Sequence, residues 1–538
     1  MCRLTDVLKA SCANGWFLAL LGLFLFIFAV LALSGPGRID IIDGQPRYEV
    51  ARSLVEHGDV VIRDEQIWFA VARGRDGKMF TAYRIPQSLL GVPAILLADA
   101  TGAQAEARRH FFFQLTSAVA GAVLALAYAC WFAKKGYSLK ATIIWAVLGI
   151  FCTPNWWYST TTFDDILGTT CILLAVVCAV TSQRQGSYLW SLAAGSWMGL
   201  AWNCKPPLGL FILPAMAAAL DPNRAWFRQI GRLSLVVVGL VLGMILSWVY
   251  WWYRYPQGLD LESLPFSPPL WGQSPIAGLA SLVISPAAGM FFYCPTLLLS
   301  IRGLMRCWRG ARWWAASVLL AGVGFLFFLS CLSFFKGDIA WGPRYLTPLF
   351  ALLWLFVPEG MASLPPLYRP VILILGLLVQ LLGLSTEPHR LYIETNFPSG
   401  AYIYNPWVYF NPCISHLLQR PREIWEILWK TERSEDFTPA PSPTYALPLH
   451  DYLGGHAAVQ KYHLFSSFRP WWLSQRYLSA SERPVPLATT MTFLVCLTGM
   501  GIGLIFLALY GRRNSPACGP PMFYTTFDTS RESLLSRS

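Results

Sequence analysis

Apolar runs of membrane-spanning length recur along nearly the whole chain, and they constrain its fold more than any motif does. A run needs about 17 to 25 residues to cross roughly 30 Å of hydrocarbon as a helix. Of the 538 residues, 55% are hydrophobic and only 13% are charged, and the mean hydropathy is +0.46. Soluble globular domains do not have this balance. The sequence therefore predicts an all-α polytopic membrane protein with about twelve transmembrane helices.

The predicted spans have approximate boundaries, and three of them, near residues 190–220 and 345–357, are short. The first run follows Arg3 and Lys9, but it is longer than a signal-peptide core and lacks a small-x-small cleavage site, so we expect it to be retained. The twelve spans are Gly15–Ser34, Phe111–Ala133, Ala141–Tyr158, Ile166–Ser182, Tyr188–Cys204, Leu208–Leu220, Leu233–Tyr253, Ala287–Leu304, Trp313–Phe335, Tyr345–Val357, Val371–Thr386 and Thr489–Tyr510.

Basic residues cluster in alternate short loops between these spans. By the positive-inside rule, this pattern places both termini in the cytoplasm and predicts a multi-pass protein of the inner (plasma) membrane. The same topology and anionic lipid account for the net charge of +12, and no basic patch indicates nucleic-acid binding. The clusters are Lys134, Lys135 and Lys140; Arg224, Arg228 and Arg232; Arg302, Arg306, Arg309 and Arg312; and Arg512 and Arg513.

The first external loop, at 35–110, is too long for a passive connector. Its pattern predicts an amphipathic helix over Pro46–His57, then a β-hairpin on the turn at Asp76 and Gly77. The run Leu89–Ala98 is too short to span, so we expect an interfacial helix there.

The predicted organisation has four parts. Residues 1–386 form the transmembrane catalytic region, and residues 387–488 form a second external loop or small subdomain, with a Pro-rich linker at Thr438–Thr444. The last span covers residues 489–510, and a cytoplasmic tail covers residues 511–538.

Two pairs of acids lie on the external side. Asp40 and Asp43 follow the first span, and Asp164 and Asp165 lie between the third and fourth spans. Each could simply cap a helix or be solvated. Carboxylates at a membrane surface can instead act as general bases on an acceptor hydroxyl.

A cationic set lies on the same side. Arg344, in the sequence Trp-Gly-Pro-Arg-Tyr at 341–345, has a guanidinium fork suited to phosphate oxygens. The alternative is an arginine that only anchors a helix end by snorkelling. Lys205, Arg84 and Lys336 are weaker candidates for the same phosphate-binding role.

Carboxylates and cations on one membrane face are what sugar transfer from a polyprenyl-phosphate donor requires. One Asp removes the acceptor proton, and the cations, or a divalent metal ion held by the acids, stabilise the departing phosphate.

Three motifs together resemble a known family. They are Asp43-x-x-x-Arg47-Tyr48, Arg-Ile-Pro-Gln at 84–87, and Trp-Gly-Pro-Arg-Tyr-Leu-x-Pro at 341–348. Their order, over roughly residues 15–386, resembles the GT-C glycosyltransferases of the protein mannosyltransferase and aminoarabinose transferase-like group.

The resemblance implies a GT-C-like fold and a hexosyl- or pentosyltransferase that uses a lipid-phosphate sugar. It also implies a first-loop Asp as base or its partner, an acid from the second external loop, and often a bound metal. These roles correspond to Asp43 and to Asp164 or Asp165, which are also the candidate metal ligands, with Arg47, Tyr48 and Tyr345 as further site candidates. Gly44 stands where the family motif usually has a second acid, which leaves Asp40 as a competitor to Asp43.

The main alternative to an enzyme is a transporter or flippase of lipid-linked saccharides. Transporters place ionisable groups at mid-bilayer and often have related halves. Here such groups are nearly absent from span interiors and no repeat is visible, which favours the enzyme. An assembly factor is a third hypothesis. The acceptor, whether glycan, lipid or protein, and the sugar are left open.

Overall fold

The computed structural model describes residues 2–64, 67, 69–102, 106–220, 226–258, 274–337, 340–394, 405–429, 468–474, 483 and 485–513. Regular structure in these ranges consists of helices and one two-stranded antiparallel sheet. This composition agrees with the predicted all-α membrane class, in which the only strands expected were those of the first loop.

The helices follow one another through the whole described chain. In order they are α1 Cys2–Ser34, α2 Gly44–Glu56, α3 Pro86–Ala100, α4 Glu106–Lys135, α5 Leu139–Phe151, α6 Asn155–Tyr158, α7 Asp165–Gln185, α8 Tyr188–Cys204, α9 Ile212–Ala219, α10 Trp226–Arg254, α11 Pro275–Ile284, α12 Met290–Tyr293, α13 Leu298–Gly310, α14 Arg312–Ser330, α15 Thr347–Trp354, α16 Val357–Met361, α17 Tyr368–Ser385, α18 Pro388–Glu394, α19 His416–Trp429, α20 Trp471–Ser474 and α21 Leu487–Arg513. Short 3-10 helices cover Arg75–Gly77, Pro206–Phe211, Pro295–Leu297, Arg344–Leu346, Pro406–Phe410 and Pro412–Ile414.

Seven helices within the described ranges are long and apolar enough to cross a membrane: α1, α4, α7, α10, α14, α17 and α21. Each coincides with a predicted span. The other five predicted spans are shorter or interrupted helices. Two of them are broken at a proline, Pro154 and Pro295, because proline cannot continue the helical hydrogen-bond ladder. Two others change helix type or stop inside the predicted span, one after Phe211 and one after Leu346 and again after Trp354. The fifth, Tyr188–Cys204, is one continuous helix of 17 residues.

Glycines let two helix pairs pack with their backbones close together. A Cβ on Gly195 of α8 would lie 2.1 Å from the carbonyl oxygen of Val236 in α10, and one on Gly199 would lie 2.8 Å from the Cα of Gly243. In the same way, a Cβ on Gly22 of α1 would lie 2.6 Å from a carbonyl oxygen of α21. Small residues at such contacts are typical of helices that associate in membranes.

The first long loop has the predicted elements. Helix α2 covers the predicted amphipathic helix, and the hairpin pairs β1 Val71–Arg73 with β2 Met79–Thr81. The predicted interfacial run lies within α3, where Leu89, Leu90, Leu96 and Leu97 are exposed. Exposed leucines on one helix suit contact with lipid.

The described parts of the second long loop pack onto the membrane region. The Arg469 backbone N–H donates to the Ser385 carbonyl at 2.9 Å, and the Trp471 N–H donates to Gly35 at 3.0 Å. This segment therefore links the C-terminal ends of the first and eleventh predicted spans. The predicted linker at 438–444 and nearly all of the predicted tail lie outside the described residues.

Candidate functional site

Six charged side chains from four separate parts of the chain meet in one place, which we call the ion-pair cluster. One acid and one arginine come from the start of α2, two acids come from the start of α7, a lysine follows α8, and an arginine begins the 3-10 helix before α15. The cluster consists of Asp43, Arg47, Asp164, Asp165, Lys205 and Arg344.

Arg344 joins the two acidic segments. Its Nη2 lies 2.7 Å from Asp43 Oδ2, and its Nε lies 2.9 Å from Asp165 Oδ2. The face of its guanidinium lies 3.4 Å from the ring centroid of Phe163. All three charged groups are buried, so their hydrogen bonds are the charge-assisted kind that is strong at low dielectric.

The remaining contacts close the cluster into a ring. Lys205 forms an ion pair with Asp165, and its Nζ lies 3.5 Å from Asp164 Oδ1. Arg47 Nη2 lies 3.2 Å from Asp164 Oδ2, while its Nη1 donates to the backbone carbonyl of Asp43 at 2.9 Å. Three carboxylates thus face three cations, which compensates the cost of burying each charge.

Proline and glycine set the backbone around the cluster. Lys205 precedes Pro206 and is extended, with φ −147° and ψ 122°, as expected before a proline, so it leaves the axis of α8. Gly342, with φ +66°, lies against Tyr293, where a Cβ would be 2.6 Å from the ring. Only glycine tolerates both conditions.

Gly44 allows the two acidic segments to approach each other. A Cβ on Gly44 would lie 2.2 Å from the Thr162 hydroxyl oxygen, so no larger residue fits beside the 159–165 segment. The departure from the family motif at this position therefore has a steric reason.

The electrostatics around Asp43 favour its ionised form. Burial alone would raise its pKa, but the charges of Arg344 and Arg47 and the hydrogen bond from Arg344 outweigh burial, so the pKa of Asp43 lies below its ordinary value. Asp43 is therefore a carboxylate at neutral pH, which a general base must be.

Tyr83 is a site residue that sequence reasoning missed. Its ring centroid lies 3.9 Å from the Arg47 guanidinium carbon. Burial and the charge of Asp43 raise the pKa of Tyr83 well above its ordinary value, so the hydroxyl stays protonated at neutral pH. A tyrosine between Ala82 and Arg84 has no recognisable spacing, and only its place at the end of β2 could have suggested it.

Asp40, the competitor to Asp43, lies outside the cluster. It is fully buried and pairs with Arg469, whose Nη2 lies 2.7 Å from Asp40 Oδ2. It also accepts from the Thr161 hydroxyl at 3.0 Å and from the Thr162 backbone N–H at 3.3 Å. These contacts make Asp40 an anchor for the segment that carries the second acid pair.

The other predicted candidates have different surroundings. Tyr345 borders the cluster, with its ring centroid 4.7 Å from Lys205 Nζ. Arg84 hydrogen-bonds to Ser247 of α10. The other two are buried against aromatic rings: Lys336 lies 5.5 Å from the centroid of Tyr409, and Tyr48 packs edge-on against His110 and Phe113.

The cluster does not fit a divalent cation as it stands. Asp43, Asp164 and Asp165 each face a guanidinium or an ammonium group, whereas a metal ion would need those oxygens as ligands. In the part of the chain that the structure describes, no three His, Cys, Asp or Glu side chains are grouped to hold one ion.

No protein-family model matches the sequence, and no curated protein is significantly similar to it. Among solved structures, the chain is similar to ArnT from Cupriavidus metallidurans bound to undecaprenyl phosphate, with 14% identity and a TM-score of 0.44, over 93% of this chain and 78% of that one. It is also similar to the Archaeoglobus fulgidus oligosaccharyltransferase in the apo form, with 11% identity and a TM-score of 0.39, over 79% of this chain and 58% of that one. A complex of that enzyme with Zn and sulfate gives 11% and 0.36, over 72% and 57%.

These neighbours include an aminoarabinose transferase, the kind of protein that the sequence resemblance names. Since all three TM-scores lie below 0.5, we infer function from the residues of the ion-pair cluster and not from the neighbours. In sequence motifs the chain resembles GT-C membrane glycosyltransferases, and in structure it is similar to the ArnT and oligosaccharyltransferase structures named above.

Proposed function

We propose that the protein is an integral-membrane glycosyltransferase that moves a sugar from a polyprenyl-phosphate donor to an acceptor hydroxyl. Asp43 is the general base, and Arg344 binds the donor phosphate with support from Lys205. The observation that carries the proposal is the direct contact of Arg344 with both Asp43 and Asp165, at 2.7 and 2.9 Å.

Because Arg344 contacts two carboxylates, it can hold Asp43 before the donor binds and bind the donor phosphate afterwards. The guanidinium fork that holds two carboxylates has the geometry that phosphate oxygens require. When the donor phosphate takes these N–H groups, the Asp43 carboxylate is released to accept a proton. The base is thus sequestered until the donor is bound.

The reaction balances with these groups. The acceptor oxygen attacks the anomeric carbon and forms the new glycosidic bond, while the bond from that carbon to the phosphate oxygen breaks. Asp43 receives the acceptor proton, and the leaving phosphate keeps the electron pair, stabilised by Arg344 and Lys205. No step requires a nucleotide-sugar site or a metal ion.

In this proposal the reaction takes place on the external, periplasmic face of the inner membrane, with both termini cytoplasmic. The exposed leucines of α3 lie six to fourteen residues beyond Tyr83 in the chain, which suits a lipid-anchored donor that arrives from the bilayer. The acceptor is a glycan, lipid or protein hydroxyl.

The proposal predicts that Asp43→Asn strongly reduces transfer. We expect a loss of about 100-fold or more, because general-base catalysis typically contributes that much. The measurement is transfer of labelled sugar by purified protein, reconstituted with a panel of polyprenyl-phosphate hexoses and pentoses and with membrane extract as the acceptor source.

Asp76→Asn is the matched control, because Asp76 is an exposed acid of the same loop and the chemical change is identical. It should leave transfer unchanged. Full activity of a correctly folded Asp43→Asn protein would contradict the proposal. Movement of the lipid-linked sugar across vesicles without any transfer would instead favour the flippase alternative.

A further inference from the structure

The ring of Phe163 lies against the face of the Arg344 guanidinium. The central carbon of the guanidinium is 3.4 Å from the ring centroid, which is a close cation–π contact. The nitrogens that contact Asp43 and Asp165, Nη2 and Nε, belong to one edge of the planar group. The two carboxylates therefore restrain Arg344 within its plane, and the ring restrains it perpendicular to that plane.

The ring belongs to the same packed group of side chains as the turn that carries Arg344. Phe163 is buried, and its ring centroid lies 6.3 Å from that of Trp157 and 6.4 Å from that of Tyr158. The Tyr158 hydroxyl donates at 2.8 Å to the carbonyl of Trp341, three residues before Arg344. The ring and the guanidinium are thus held relative to each other.

The backbone is fixed on both sides of Phe163. The Thr162 carbonyl accepts a hydrogen bond from the Gln87 side-chain amide at 3.0 Å. On the other side, Asp164 Oδ2 lies 3.2 Å from Arg47 Nη2. Contacts on both neighbours determine where the Phe163 side chain begins, as is needed for a residue that supports a functional group.

In the proposed reaction, the donor phosphate replaces Asp43 at Nη2 of Arg344. Asp43 is part of the protein and determines where Nη2 lies, whereas a phosphate on a lipid chain is mobile and does not. The position of Arg344 in the donor complex then depends on Asp165 and on Phe163. Because the ring carries no charge, the phosphate has no ionic attraction to it, so the ring contact can persist during the exchange.

We propose that Phe163 is a positioning residue: its ring keeps the plane of the Arg344 guanidinium fixed while the donor phosphate replaces Asp43 at the edge. This inference rests on the proposed function and adds a residue that acts through the phosphate-binding arginine. Weakening the ring contact should weaken donor binding more than it disturbs the free protein, in which two carboxylates still hold Arg344.

The test replaces Phe163 with mono-, di- and trifluorinated phenylalanine. Each fluorine withdraws electron density from the ring face and adds little volume, so the attraction for a cation falls stepwise. We expect the Kd for decaprenyl phosphate, measured on purified protein in nanodiscs, to rise with each fluorine, by about tenfold for the trifluorinated ring. In transfer assays the donor KM should rise in the same order, with kcat changed less than about threefold. A misfolded fraction would instead lower kcat and leave KM unchanged.

The control is the same fluorinated series at Phe211, a buried phenylalanine whose ring packs edge-on against the neutral ring of Phe325 at 5.0 Å. Its Kd and KM should match those of the unmodified protein. A constant Kd across the Phe163 series, or an equal rise in both series, would overturn the inference, because a role in packing alone depends on ring volume and not on ring charge distribution.

Asp43→Asn in the same assays separates the two proposals. If this variant transfers sugar fully, the base assignment fails, whatever the Phe163 series shows. If it is impaired while the Phe163 series has a constant Kd, only the role of Phe163 is refuted. An unmodified protein that binds no decaprenyl phosphate would refute both, since each requires a phosphate at Arg344.

Discussion

At the scale of single residues, Arg344 illustrates why guanidinium and ammonium groups are not interchangeable. It contacts carboxylates of two chain segments through two different nitrogens and lies face-on to Phe163. A lysine has one compact charge and cannot reproduce a planar fork with a stacking face. The geometry thus depends on the residue type, not only on the charge.

Arg344→Lys should therefore impair the donor site while keeping the charge. We expect kcat/KM to fall at least about tenfold, the effect of losing one or two charge-assisted hydrogen bonds, mostly through a higher KM for the polyprenyl-phosphate sugar. Steady-state kinetics at varied donor concentration measure this. Arg73→Lys, at an exposed position of β1, is the matched control, and equal kinetics in both variants would rule out a special role for the fork.

At the scale of elements, the 159–165 segment is held from two sides. Asp40 and Arg469 bind its threonines on one side, and the ion-pair cluster binds Asp164 and Asp165 on the other. A segment fixed in this way presents both acids without relying on a regular helix, whose first turn only begins at Asp165.

Asp40→Asn should destabilise the protein rather than alter its chemistry. Breaking a buried ion pair typically costs about 3 to 5 kcal/mol, because the remaining charge is left uncompensated. We expect a lower melting temperature in detergent. The activity that remains should have a kcat–pH profile with an unshifted acid limb.

The double variant Asp40→Asn/Arg469→Gln should recover part of the lost stability, since neither charge is then buried alone. An Asp40→Asn protein that keeps its stability but loses all transfer would instead return Asp40 to the list of candidate bases.

Much of this element-scale organisation was predictable from the sequence. The seven long helices, α2, the hairpin and α3 follow from apolar runs, a helical stripe and an Asp-Gly turn, each of which is a local signal. The interruptions inside four of the predicted spans were not predicted. Hydropathy measures how apolar a run is and does not register where the backbone hydrogen-bond ladder of a helix stops, as it does at Pro154 and Pro295.

The composition of the site was only half predictable. Asp164, Asp165 and Arg344 stand at span ends where charge is unusual, and Asp43 stands in the loop after the first span. The structure brings these four residues together. The partner of Asp40 lies 429 residues away along the chain, in a segment with no recognised motif. No local pattern could distinguish Asp40, as an anchor, from the acid three residues later.

At the scale of the whole molecule, residues 468–474 act as a strap across the start of the first loop. Trp471 and Trp472 donate from their indole nitrogens to Ala32 and Leu33, each at 3.0 Å. The Trp471 ring also lies edge-on to Phe111 at 5.4 Å. The strap carries Arg469 into the interior, so a segment far from the motifs supports the site.

Trp471→Ala should loosen the strap and with it the site. Removing a buried tryptophan typically costs about 3 to 5 kcal/mol, so we expect a lower melting temperature and reduced transfer together. Trp407→Ala is the control, because Trp407 is 62% exposed and its loss should change neither. Retained stability in Trp471→Ala would show that the strap does not support the membrane region.

The equal number of acids and cations in the ion-pair cluster bears on how a product would leave. With a singly charged phosphodiester donor in place, the cluster and its ligand carry a net charge of about −1 in the proposed reaction. Transfer leaves this total unchanged, because the proton gained by Asp43 offsets the second charge on the phosphate, whose second pKa is about 6. Once that proton escapes to water, the total becomes about −2 and Asp43 again competes for Arg344. Proton release to solvent would then expel the spent lipid carrier and reset the enzyme.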